Sequence, residues 1–171
     1  MRFSSLICFV LIMSLLPQLN AQAFLSRPEV KKKIHEFDFW LGEWIVYKTG
    51  TDTVAGYSHI QSILDSVGLQ EHYKAVSGQF HGTSINKYNF AKQQWEQFWV
   101  DNSGLSLHIQ GNREDNKMVL GNTAKTLQGS TIYNRISWHD NEDQTVRQVW
   151  EQSPDGEEWT KVFDGTYRRK K

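Results

Sequence analysis

Trp95-Glu96-Gln97-Phe98-Trp99-Val100-Asp101 alternates in character from one residue to the next. In an extended chain successive side chains point to opposite faces. Trp95, Gln97, Trp99 and Asp101 therefore share one face, and Glu96, Phe98 and Val100 share the other. A helix would instead group residues three and four apart. This stretch is a strand, and both of its faces carry aromatic rings.

The same period of two holds on either side of it, from Gly42 to the end of the chain. It marks strands at Glu43–Lys48, Gly56–Asp65, Leu69–Val76, Gly82–Asn89 and Trp95–Asp101. It continues at Leu105–Gly111, Lys117–Asn122, Ser130–Trp138, Thr145–Gln152 and Trp159–Arg168. The breaks between them are short and rich in Gly, Asn, Asp and Ser, as turns are. Short links force antiparallel pairing of neighbours. A sheet of about ten strands must curl or split, and closure removes its edges. The expected fold class is all-β: an up-and-down antiparallel barrel, with a two-sheet sandwich as the alternative. No linker, repeat or low-complexity tract divides the chain, so residues 24–171 are expected to form a single domain.

One helix precedes the strands. Ser26 is placed to cap it and Pro28 falls in its first turn. Val30, Ile34, Phe37 and Leu41 form one apolar stripe, and Gly42 is placed to end the helix,. Capping or plugging of the barrel by this segment is the simplest expectation.

Before the helix the chain reads as a leader. Arg2 is followed by the apolar run Leu6–Leu16 and by the small-x-small site Ala21-Gln22-Ala23. That order predicts a cleavable signal peptide over residues 1–23, and hence export to the periplasm or the medium. The run is too short to span a bilayer, so no integral membrane segment is expected after cleavage. An uncleaved anchor is the alternative reading. Cys8, the only cysteine, lies within the leader. The mature chain is thus expected to lack disulfides and thiol chemistry.

Nineteen Lys and Arg balance nineteen Asp and Glu. With no net charge, nucleic acid is not an expected partner. Seven Trp, six Tyr and nine Phe supply large flat surfaces for a core or a ligand,.

Several strand faces mix rings with polar groups. Glu71 shares a face with Tyr73, Ser84 with Asn86 and Tyr88, Gln97 with Trp99, and Arg147 with Glu151. A ligand cavity is mostly apolar with a few placed polar groups. The candidate ligand-binding residues are accordingly Glu71, Tyr73, Ser84, Tyr88, Gln97, Trp99, Arg147 and Glu151. The competing structural reading makes Glu71 with Arg135 or Arg147 an internal ion pair, and leaves Gln97 and Ser84 to satisfy backbone groups.

Six scattered histidines lack metal-ligand spacing such as H-x-x-x-H, although a three-His site assembled by the fold stays open,. No nucleophile elbow or phosphate loop occurs. Ser153-Pro154-Asp155-Gly156-Glu157 reads as a turn and not as a calcium loop.

Phe37-Asp38-Phe39-Trp40-Leu41-Gly42-Glu43-Trp44 resembles the start of a family of often exported bacterial lipocalin-like (calycin) barrels, a domain of unknown function. Leu69-Gln70-Glu71, Gly82-Thr83-Ser84 with Asn86 and Tyr88, Trp95–Asp101, Val146–Ser153 and Trp159–Tyr167 are similar to it in order. The resemblance implies a lipocalin-like meander and export, and assigns no activity. More distantly, Gly42-Glu43-Trp44-Ile45-Val46-Tyr47 resembles haem-binding barrels of the nitrobindin type. It lacks their later glycines, and the last histidine is His139, so haem is not expected and no cofactor is predicted.

Three functions compete. The first is an exported barrel holding a small apolar or amphipathic molecule. The second is a small barrel enzyme, an isomerase, lyase or hydrolase acting on a small molecule or glycan fragment, with Glu71 or Glu151 as acid or base and Arg147 holding an anion. The third is a ligand-free interaction protein of the envelope.

Overall fold

The structure, a computed structural model, describes residues 22–126 and 128–171. The signal peptide read over residues 1–23 therefore lies outside the described residues except for Gln22 and Ala23. The chain divides after His35 into two units.

The first unit carries a helix at Pro28–Ile34. Pro28 opens it with a preset φ and without the need of an N–H partner. Glu29 stands in the first turn and Lys31, Lys32 and Lys33 in the last, each on the favourable side of the helix dipole,. Ser26 does not cap it, because its hydroxyl donates back to the Ala23 carbonyl at 2.9 Å. Arg27 takes the cap position in extended conformation.

The helix also ends earlier than the apolar stripe suggests. Asp38–Trp40 form a separate 3₁₀ turn in the second unit. Aromatic side chains lose rotamer freedom in an α-helix. The three-residue period of a 3₁₀ turn sets Phe37 against Trp40 instead. Their rings stack with centroids 5.2 Å apart and planes at 20°.

Ten strands follow: β1 (Gly42–Lys48), β2 (Val54–Ile63), β3 (Gly68–Ala75), β4 (His81–Asn89), β5 (Gln94–Asp101), β6 (Ser106–Glu114), β7 (Lys117–Lys125), β8 (Thr131–Asp140), β9 (Val146–Ser153) and β10 (Thr160–Arg169). Each pairs antiparallel with its chain neighbours. β1 closes the barrel on β10, with Val46 opposite Tyr167. Closure excludes the sandwich. Gly42 belongs to β1 and is not a helix cap.

The sequence breaks are displaced at two hairpins, since β6 runs past the expected Gly111 to Glu114 and β7 past the expected Asn122 to Lys125. β6 and β7 run on to a two-residue turn at Asp115 and Asn116, with Asp115 at φ 52°. Gly111, which reads as a strand end, sits inside the ladder. A Cβ there would lie 2.1 Å from the Val119 carbonyl oxygen. The glycine permits a close backbone approach and does not mark a turn.

Because the strands alternate in direction, the loops 49–53, 76–80, 102–105 and 154–159 share one end with residues 126 and 128–130. The 3₁₀ turn enters β1 at the other end and plugs it. Phe37 meets Trp95 edge-on at 5.7 Å and Trp138 at 5.2 Å. Trp40 packs on Trp138 and Tyr167. Trp44 Nε1 donates to the Trp40 carbonyl at 2.9 Å. Two arginines fasten the plug from the barrel. Arg113 donates to the Glu36 carbonyl at 2.7 Å and Arg169 to the Leu41 carbonyl at 2.9 Å. Their guanidinium groups also lie over Phe39 and Trp44,.

Candidate functional site

The end opposite the plug is not filled. A cavity of about 380 Å³ reaches from the floor of the barrel to Phe80, Ser103 and Leu105. That volume lies in the range of small-molecule sites. Its walls stay open because three inner-facing glycines let rings lie along the strands. A Cβ on Gly82 would be 2.2 Å from Trp99 Cζ2, one on Gly56 2.6 Å from the Tyr73 hydroxyl, and one on Gly165 2.6 Å from Phe163 Cζ. Trp150, Leu107 and Ile136 extend the apolar lining.

The floor is polar, and one hydrogen-bonded chain crosses four strands beneath it. Ser58 of β2 donates to Glu71 of β3 at 2.8 Å. Ser84 of β4 donates to the other carboxylate oxygen at 3.4 Å. Asn86 Nδ2 donates to Ser84 Oγ at 3.0 Å, and Gln97 Nε2 of β5 donates to Asn86 Oδ1 at 2.7 Å. All five side chains are buried. The register accounts for the chain, since Glu71 stands opposite Ser84 and Asn86 opposite Gln97. A buried polar network of this kind holds its members in one arrangement.

Glu71 is 3% exposed and has no cationic partner among its hydrogen bonds. Burial raises its pKa from 4.5 to about 7, against the opposing pull of the Ser58 and Ser84 hydroxyls,. Burial also pushes the Tyr167 hydroxyl well above its usual range, and the negative charge of Glu71 adds to that shift. Tyr73 is raised for the same two reasons. The Tyr167 hydroxyl donates to Gln148 Oε1, which also lines the cavity. At the mouth Trp99 Nε1 donates to Asp101 Oδ2 at 2.9 Å. Burial acts to raise the Asp101 pKa. Hydrogen bonds from Ser103, Trp99 and the Leu105 amide outweigh it and hold the group below the usual carboxylate range.

The sequence-derived candidates divide. Glu71, Tyr73, Gln97 and Trp99 line the cavity, and Ser84 supports Glu71 from behind. Tyr88 is buried toward the plugged end, against Phe90 and Trp95, and belongs to the core. Arg147 and Glu151 are set apart from the site. They occupy the face of β9 opposite Gln148 and Trp150, which line the cavity. Arg147 makes a two-pronged pair with Asp164 at 2.8 and 2.7 Å. That pair depresses the Asp164 carboxyl, with help from Lys161 and Thr49. Glu151 accepts from Arg135 at 3.0 and 3.1 Å, under the Trp159 ring. Glu71 therefore pairs with neither Arg135 nor Arg147.

Ser58, Asn86, Gln148, Trp150, Phe163 and Tyr167 are among the members that sequence reasoning missed. Alternation separates Gln148 and Trp150 correctly from Arg147 and Glu151 but does not say which set points inward. The buried Val149 shares the outer face of β9 with the two charged residues. Phe163, Gly165 and Tyr167 show the inward pattern of β10: a glycine between two rings.

Among the described residues no group of three or more His, Cys, Asp or Glu side chains is placed to hold a metal ion. Among them, too, no helix is long and apolar enough to cross a membrane. Compared with models of known families and with curated proteins, the chain matches none.

Proposed function

We propose that the protein is an exported, lipocalin-like barrel that binds a small apolar or amphipathic molecule in its interior. One observation carries this reading: the plugged barrel keeps an aromatic-walled cavity of about 380 Å³ over a polar floor. A barrel with a purely structural interior fills that space with side chains. Export rests on the leader pattern of Arg2, Leu6–Leu16 and Ala21-Gln22-Ala23,. The test is titration with N-phenylnaphthylamine, a neutral fluorescent probe. Saturable binding to one site is the expected result. Binding without saturation, or none, overturns the proposal. For export, the N-terminal sequence of protein recovered from its own host should begin at Phe24.

A second reading is an acid–base enzyme. The carboxyl of Glu71, lifted to about 7, favours it, because a general acid or base works best near the operating pH. Arg147 and Glu151, its other expected parts, face away from the cavity. Turnover of some component of a host metabolite extract, lost in Glu71→Gln while probe binding persists, is what this reading requires. An extract left unchanged by the wild-type protein sinks it. The ligand-free role calls for a filled barrel, which the cavity speaks against.

A further inference from the structure

Most donors around the cavity are turned into its wall, the Gln148 amide being the exception, since only its oxygen is engaged. Trp99 Nε1 donates to Asp101 and Trp150 Nε1 to Asn134. The Tyr167 hydroxyl donates to Gln148 Oε1 and the Tyr73 hydroxyl to the Ala55 carbonyl. Gln97 commits an amide hydrogen to Asn86. These residues line the lumen with rings, and Gln97 keeps its amide oxygen out of any other hydrogen bond among the described residues.

The charges are equally one-sided. Glu71 and Asp101 line the cavity, and no Lys, Arg or His side chain does among the described residues. Only neutral hydroxyls donate to Glu71. A carboxylate buried without a counter-charge is costly, and a well-placed cation relieves that cost. Aromatic faces attract cations as well. An anionic ligand would meet two acids and no base.

Resting on the binding reading above, we infer that the ligand is a cationic amine whose ammonium group docks on Glu71, with its apolar part lying between Trp99, Trp150 and Phe163. The ammonium donates to the carboxylate and to the oxygens of Gln97 and Tyr167. Its charge replaces the counter-ion that the wall does not provide.

The test uses three probes of similar shape, phenethylamine, phenethyl alcohol and phenylacetate, in calorimetric titrations of the full-length protein. Phenethylamine should bind at least about tenfold more tightly than either of the others. Glu71→Gln should remove that preference, bringing phenethylamine to within about twofold of phenethyl alcohol measured on the same variant, with near-ultraviolet circular dichroism reporting an intact core.

A second measurement needs no variant. Of the titratable groups facing Glu71, Tyr73 on its own strand and Tyr167 on β10 are raised, and Asp101 on β5 is held low. None of these changes charge near neutrality. Phenethylamine affinity should then rise about tenfold from about pH 6 to about pH 8, as Glu71 ionises near 7,. The alcohol's affinity should stay flat.

Equal or tighter binding of the alcohol or the acid overturns this inference and leaves the binding reading standing. So does an amine affinity indifferent to pH and to Glu71→Gln. Failure of all three probes together with N-phenylnaphthylamine overturns both readings.

Discussion

The indole of Trp99 on β5 lies against Gly82 on β4, so close that a single added methyl would stand 2.2 Å from its Cζ2. The glycine leaves room beside the backbone for the ring, and the ring's own N–H is tied to Asp101. The cavity exists because a large side chain is folded against the wall.

Gly82→Val should therefore turn Trp99 into the lumen. The Val100 carbonyl oxygen, 2.8 Å from the same added atom, blocks relief in the other direction. Loss of N-phenylnaphthylamine binding by at least about tenfold is expected, with an overpacking cost of about 1–3 kcal/mol. Fluorescence titration and urea unfolding measure the two effects. Unchanged binding would show that the probe sits elsewhere.

Most of the fold was legible because one face of each strand is buried, and a period of two then writes itself into the residue types. Glycines misled where they sit inside the ladder, as Gly111 does, because one residue serves both turns and close backbone approach. The 3₁₀ plug was hidden because Phe37 and Leu41 also satisfy helical spacing. The site was half legible. Alternation groups Glu71 with Tyr73 and Gln97 with Trp99, but the inward sense of β9 depends on closure against β10. Arg147 and Glu151 looked like site residues because pairing with Asp164 and Arg135 across strands leaves no mark in the local sequence.

The plug should carry much of the stability. Phe37 is fully buried between Trp40, Trp95 and Trp138. Phe37→Ala removes those contacts and leaves a hole, for an expected loss of about 3–5 kcal/mol in urea unfolding. Arg169→Ala removes one bond to the Leu41 carbonyl and the stacking on Trp44. About 1 kcal/mol is expected there. A loss under 1 kcal/mol for Phe37→Ala would mean that the plug is not part of the cooperative core.

Arg147→Ala and Glu151→Ala separate the outer ion pairs from the cavity. Both side chains are partly exposed and paired across the outer face. Each substitution should leave probe affinity within about twofold of wild type, with a stability change of about 1 kcal/mol or less. A tenfold loss of binding in either variant would place the ligand on the outside of β9.

Glu71 should leave a signature in stability against pH. Its carboxyl titrates near 4.5 when unfolded and near 7 when folded. Below about pH 4 both states hold the proton and the group contributes nothing to the difference. Between the two values the folded chain alone keeps the proton, so stability falls as pH rises. Above about pH 8 both states are ionised and the burial penalty is complete, about 3 kcal/mol for that displacement of the pKa. Glu71→Gln keeps the shape and never ionises. It should match wild type near pH 4 and exceed it by about 3 kcal/mol near pH 8, flattening the slope between. Urea unfolding across that range measures this directly. Wild-type and variant curves that stay parallel would mean that Glu71 ionises in the folded barrel as it does in water. A penalty that appears in the free protein and shrinks on adding phenethylamine would tie the instability of the carboxylate to the ligand that answers it.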